Sequence, residues 1–160
     1  MWHLSGTTVW GEGGLMNDSQ QTEQTRGVVR AIHAASASGD LEKERQLFSP
    51  DLVIEEPPYL PYGGTYHGYD GFLRLAKHAI QFVDFSSLVL ESLTVEGNLA
   101  FAVVRVRLLS GAEIIATEQW QVEKGLAVHC RISWFDATPA KDMSAPSAAG
   151  ATPIAGSTNR

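Results

Sequence analysis

Two adjacent carboxylates, Glu55 and Glu56, close a short apolar run, Leu52-Val53-Ile54, and stand directly before Pro57-Pro58. Proline has no N–H to give to a ladder, so these residues and Pro61 end the strand and stiffen the loop after it. Gly63-Gly64 and Gly68 then permit tight turns. A carboxyl at the end of a buried strand, beside Tyr59, is partly desolvated, which raises its pKa toward the range of a useful base. Glu56 is therefore the candidate catalytic base, and alternation sends Glu55 to the opposite, solvated face. The bland alternative is a solvated turn. Tyr62 and Tyr66 either donate hydrogen bonds to a ligand or only pack over the loop.

Other reactive constellations are missing from the chain. There is no HExxH, no CxxC and no facial carboxylate–histidine spacing, so no metal is implied. Gly63-Gly64 lies in a Pro/Tyr-rich turn rather than a phosphate loop, and no cofactor is implied. His33 and His78 fall on helices without a spaced partner, and His67 falls in a turn. Cys130 reads as a small packing residue.

The elements that must carry these residues come in a recognisable order. Residues 1–25 lack periodicity and read as a flexible arm, with Met16 an alternative start. Val28, Val29, Ile32 and Ala35 recur at helical spacing, giving a helix over 26–38 that Gly39 ends. Asp40 caps a short second helix over 41–48. Asp70 caps a third over 71–83, with Phe72, Leu75, Ala76, Ala79, Ile80 and Val83 as its apolar face. Between 86 and 135, β-rich runs alternate with Gly-containing turns at Glu96-Gly97-Asn98, Ser110-Gly111 and Lys124-Gly125, which predicts consecutive antiparallel hairpins. Residues 139–160 are rich in Ala, Ser, Pro and Gly and read as a disordered tail. The result is one domain over 26–138. It is an α+β fold in which a curved, cone-shaped mixed sheet packs against three N-terminal helices, with a ligand pocket between the layers.

Alternation also predicts the pocket wall. Ile114, Ala116, Glu118, Trp120 and Val122 form the more apolar face of their strand and should point inward. If Ser110-Gly111 and Lys124-Gly125 are two-residue turns, Phe101, Val103, Arg105 and Arg107 join that face, as do Ala127, His129, Arg131, Ser133 and Phe135. Glu118 would then oppose Arg131 and lie diagonal to Arg105, and Trp120 would lie between Phe101 and His129. This Arg–Glu–Arg cluster reads first as a structural ion-pair network and second as an anion or carbonyl site. His129 could serve as an acid or base walled off by Trp120.

Bulk properties exclude whole classes. The chain has 160 residues, 44% of them hydrophobic and 19% charged, and a net charge of −6 with no basic run. That argues against nucleic acid as the partner. No apolar stretch approaches the roughly 20 residues needed to span a bilayer. No secretion signal is readable at the N-terminus, and the lone Cys130 forms no internal disulfide, so a cytoplasmic location is expected.

The chain resembles the nuclear transport factor 2-like superfamily, in its SnoaL-like and steroid Δ-isomerase-like branch. The resemblance covers about residues 26–138. It is carried by Ser38-Gly39-Asp40-Leu41, Leu47-Phe48-Ser49-Pro50-Asp51, Glu55-Glu56-Pro57, the stretch from Pro61 to Gly68, Gln119-Trp120-Gln121-Val122 and Trp134-Phe135-Asp136. It implies an α+β roll. The isomerase pattern places Glu56 at the catalytic base and Glu118 at a second acid. The helix tyrosine of that pattern falls near Ile32, which cannot donate a hydrogen bond, so the familiar ketosteroid mechanism is not expected.

The residues support two functional readings. In one, a cofactor-free enzyme acts on a small apolar or aromatic oxygenated ligand as an isomerase, cyclase, dehydratase or epoxide hydrolase. Its catalytic residues are Glu56, Arg105 and His129, and its ligand contacts are Tyr62, Tyr66, Phe101, Glu118, Trp120, Arg131 and Phe135. In the other, the same fold is a noncatalytic binding or dimerisation module. Either way the outer sheet face, with Val104, Ile115 and Ile132, is expected to support a homodimer.

Overall fold

The computed structural model describes residues 17–143. Helix α1 (Asp18–Ser38) lies over the sheet, followed by α2 (Leu41–Leu47), β1 (Phe48–Glu56), β2 (Gly64–His67), α3 (Gly68–Ala79), β3 (Val83–Glu96), β4 (Leu99–Leu108), β5 (Glu113–Glu123) and β6 (Leu126–Trp134). A 3-10 turn at Thr138–Asp142 comes last. The six strands form one unclosed sheet in the order β2-β1-β6-β5-β4-β3. All neighbours are antiparallel except β1 and β6, which are parallel, so the sheet is mixed as expected.

Helix α1 starts eight residues earlier than the helix over 26–38 that its apolar stripe predicts. Residues 18–25, read from sequence as arm, are helical. The Asn17 side chain accepts from the Gln20 backbone N–H, and the Gln20 side chain reciprocates, forming a capping box. Two threonines then tie this polar half to the β3–β4 turn. The Gly97 N–H donates to Thr22 Oγ1 at 2.9 Å, and Thr25 Oγ1 donates to the Gly97 carbonyl at 2.8 Å. The tail expectation is also trimmed, because 138–142 are ordered as a 3-10 turn. The expectations for 1–16 and 144–160 lie outside the described residues.

Two local features decide which strand residues face the helices. The β4–β5 connection has three residues, not two: Arg107 pairs with Glu113, leaving Leu109, Ser110 and Gly111 in the loop, with Gly111 at φ 91°. The extra residue flips β4, so Ala100, Ala102, Val104 and Val106 face inward and Phe101, Val103, Arg105 and Arg107 face outward. The β5–β6 turn does have two residues, with Lys124 and Gly125 both at positive φ. Beyond it, however, Val122 pairs with Ala127 while Gln121 pairs with His129, so Val128 is an extra residue in a β-bulge. Ala127 is therefore inside as expected, but Cys130, Ile132 and Trp134 accompany it there instead of His129, Arg131, Ser133 and Phe135.

The core lies between α1, α3 and the inner sheet face. Val29, Leu52, Leu108, Val122 and Cys130 are fully buried. Leu52 and Ile54 bring β1 into this core, which fixes by alternation that Glu56 points inward and Glu55 outward.

Candidate active site

The loop after β1 is built to hold the strand end still. The Leu60 N–H donates to the Pro57 carbonyl, and the Gly63 N–H donates to the Leu60 carbonyl, so 57–63 folds as two successive turns. Those turns bury Leu60 and Tyr62. A Cβ at residue 63 would stand 2.2 Å from the Pro57 carbonyl oxygen, so only glycine fits. The Tyr66 hydroxyl donates to the Tyr62 carbonyl at 2.6 Å and closes the loop onto β2.

Strand β6 runs on past the point where β1 stops, and the gap is a cleft of about 570 Å³. Pro57, Pro58, Tyr59, Ile132 and Trp134 give it apolar walls, with the Tyr59 and Trp134 rings edge to face at 6.4 Å. Glu55, Glu56, Thr65, Arg131 and Ser133 make up the polar part of its lining. The volume lies within the usual range for small-molecule sites.

The two neighbouring acids have opposite electrostatics. Burial, reinforced by the charge of Glu118, pushes the Glu56 carboxyl up from 4.5 to about 8. Glu55 instead accepts from His129 Nε2 at 2.7 Å and from Arg131 Nε at 2.9 Å, with Arg131 Nη2 also within 2.9 Å as an ion pair. These hydrogen bonds hold its carboxyl below the ordinary value. Burial and the charge of Glu56 also push the Tyr62 phenol well up, so it stays a neutral donor. No hydrogen bond engages that hydroxyl among the described residues.

Deeper in the cone, Glu118 is paired, but not with arginine. Its Oε2 lies 2.8 Å from His33 Nε2 and 2.8 Å from Trp120 Nε1, while His33 Nδ1 lies 2.8 Å from the Val29 carbonyl. Glu118 pairs across the ladders with Ala102 and Ile132. Since Glu55 pairs with Arg131, Glu56 falls beside Ile132 on its other side. The two inward carboxylates thus flank one isoleucine, two strands apart, or about 10 Å between backbones.

The structure therefore gathers Glu56, Tyr62, Glu118 and Trp120 on the inner side, with Tyr66 bracing the loop. It removes the others. Arg105 lies on the outer face, ion-paired with Glu91 and with Glu113 at 3.4 Å. His129 joins the outward Glu55 cluster, and Arg131 reaches the cleft only at its outer rim. Phe101 and Phe135 are exposed, Phe135 at 89%. The Arg–Glu–Arg cluster on the inner face does not form. Sequence reasoning missed His33, which is 6% exposed and sits beside Ile32, the position where a helix donor was sought. Its partner lies 85 residues away, so no local spacing signalled it.

A family model for the SnoaL-like domain matches residues 29–130. The chain belongs to this family of the nuclear transport factor 2-like superfamily. Similar solved structures include an NTF2-like protein of unknown function from Burkholderia pseudomallei K96243, at 22% identity and TM-score 0.65, covering 76% of this chain and 98% of that one. The candidate ketosteroid isomerase of Kribbella flavida DSM 17836 is 21% identical, with TM-score 0.61, covering 73% and 82%. A candidate polyketide cyclase from Sinorhizobium meliloti is 22% identical, with TM-score 0.56, covering 67% and 94%. These likenesses establish the cone fold, which hosts many activities. No curated protein matches the sequence significantly. Among the described residues, no helix is long and apolar enough to cross a membrane, and no cluster of His, Cys, Asp and Glu could hold a metal ion.

Proposed function

We propose that the protein is an enzyme acting on a small apolar, oxygenated molecule, with Glu56 transferring the proton. The observation that carries this reading is a carboxyl pushed to about 8 at the wall of a cleft that prolines, Ile132 and two aromatic rings line in part. A group titrating near the working pH can both give and take a proton. With its carboxyl pushed to about 8, Glu56 begins the cycle at neutral pH chiefly as an acid. Tyr62, a neutral phenol nearby, supplies a donor for a substrate oxygen. Isomerisation, aldol-type cyclisation, dehydration and epoxide opening all fit this equipment without a cofactor.

A panel of β,γ-enones, epoxides and aryl β-ketoesters, assayed against wild type and Glu56→Gln, tests the reading. Turnover should rise or fall through pH 8 and drop roughly 10²–10⁴-fold in the variant. A second reading, a binding module, is favoured by the outward position of Arg105 and His129, which leaves Glu56 as the one survivor of the expected catalytic set. Equal ligand affinity in wild type and Glu56→Gln, with the ligand unchanged over time, would decide for it. We also propose that the outer sheet face, where Phe101 and Ile115 are exposed, pairs two copies of the chain. Light scattering should give twice the monomer mass, reduced to the monomer by Phe101→Glu.

A further inference from the structure

We propose that His33 is a positioning residue of the cleft: from α1 it holds Glu118 as a partly buried anion on the same sheet face as Glu56, and that anion governs Glu56 as the proton-transfer group. The inference rests on the proton-transfer role proposed for Glu56 and deepens it.

The donors and acceptors around His33 and Glu118 place the protons between them. The Val29 carbonyl can only accept, so His33 Nδ1 carries a proton and donates to it. An indole N–H can only donate, so Trp120 gives its hydrogen to Glu118 Oε2. A single proton then lies between His33 Nε2 and that same Oε2. A carboxylate oxygen accepts both N–H groups as they stand. A carboxylic acid O–H would have to donate to the ring while still accepting the indole hydrogen. The surroundings favour the imidazolium as well. Burial pulls the ring toward neutrality, but the Glu118 hydrogen bond and charge, the Val29 carbonyl and the nearby Glu44 outweigh it and raise its proton affinity. Glu44 is itself buried on α2 and takes a hydrogen bond from Ser36.

By register, Glu118 and Glu56 flank Ile132 on one face of the sheet. The groups facing Glu56 are Glu118 from β5, Cys130 from β6, Tyr62 from the loop and Tyr66 from β2, and of these the charge of Glu118 adds to burial in raising Glu56. Those facing His33 are Glu118 and Trp120 from β5 and Glu44 from α2. A carboxylate held by two donors on the same sheet face makes its neighbour hold a proton more tightly.

The test uses the full chain and needs no substrate. Ring-nitrogen NMR of wild type should show a doubly protonated His33 at pH 7, and a neutral ring in Glu118→Gln. Carboxyl-carbon titration of Glu56 should show its proton affinity falling about tenfold or more in Glu118→Gln. A neutral His33 in the wild type overturns the proposal even if no variant folds. So does an unmoved Glu56 midpoint in folded Glu118→Gln. Once a substrate is known, the pH–rate profile of Glu118→Gln should move with that midpoint, whereas mere structural loss lowers the rate at every pH. Failure of the catalytic reading is seen separately, as turnover that survives Glu56→Gln.

Discussion

Glu55 and Glu56 are one position apart along β1 and so one face apart in the sheet. Glu55 is paired by two donor residues and kept charged, while Glu56 is desolvated and kept protonated. Sequence reasoning placed the two acids on opposite faces, because alternation at a strand end before two prolines fixes direction, but it read Glu55 as solvated and not as paired with His129 and Arg131. It went wrong at Arg105, whose polar type and approximate place matched a pocket cation. Arg105 is 44% exposed and paired with acids on the far face, so its contribution is that of a surface ion pair, about 0–1 kcal/mol. Arg105→Ala should therefore leave turnover within about twofold of wild type in the enone and epoxide assay. A hundredfold loss would mean that chemistry reaches the outer face. The cation that does enter the cone, His33, was illegible because pairing between α1 and β5 is a property of packing and not of spacing.

Helices and strands were legible wherever an apolar period ran through them, and less so at their ends. The stripe of α1 fades before Val28, although the Asn17–Gln20 cap and the threonine ties to Gly97 carry the helix on. Strand β2 has four residues and no alternation signal of its own; it forms because β1 supplies an edge. Faces were less legible still, since each depends on counting residues through a turn. One extra residue at Leu109-Ser110-Gly111 and one at Val128 reversed the expectation for most of β4 and β6. The loop after β1 makes the tightest demand. Gly63→Ala would drive a methyl into the Pro57 carbonyl and open the two turns, at a cost of about 2–4 kcal/mol. Its denaturant midpoint should fall by the corresponding amount, and the Glu56 midpoint should move toward 4.5 as water enters.

For the molecule as a whole, the raised Glu56 makes stability fall with rising pH. The folded state binds this proton more tightly than the unfolded chain does, so its contribution is complete below 4.5 and is lost as pH climbs through about 8. The displacement from 4.5 to about 8 sets an upper bound of about 5 kcal/mol. Glu56→Gln removes this penalty. Its Tm should match wild type at pH 4 and exceed it increasingly from pH 6 to 9; equal curves would mean a solvated carboxyl. A more stable, less active variant is the expected signature of a working group held against its own solvation. The cone itself, three helices on a curved mixed sheet, was readable from element order, and the family match agrees with it. The bulge at Val128 bears on how members of this family are lined up with one another. A relative that closes it must either drop one residue or exchange every inward and outward side chain from 129 to 134. Against such a relative, a gap-free pairing across that point sets Arg131 of this chain against a core position, and its rim charges are compared correctly only with an indel placed there.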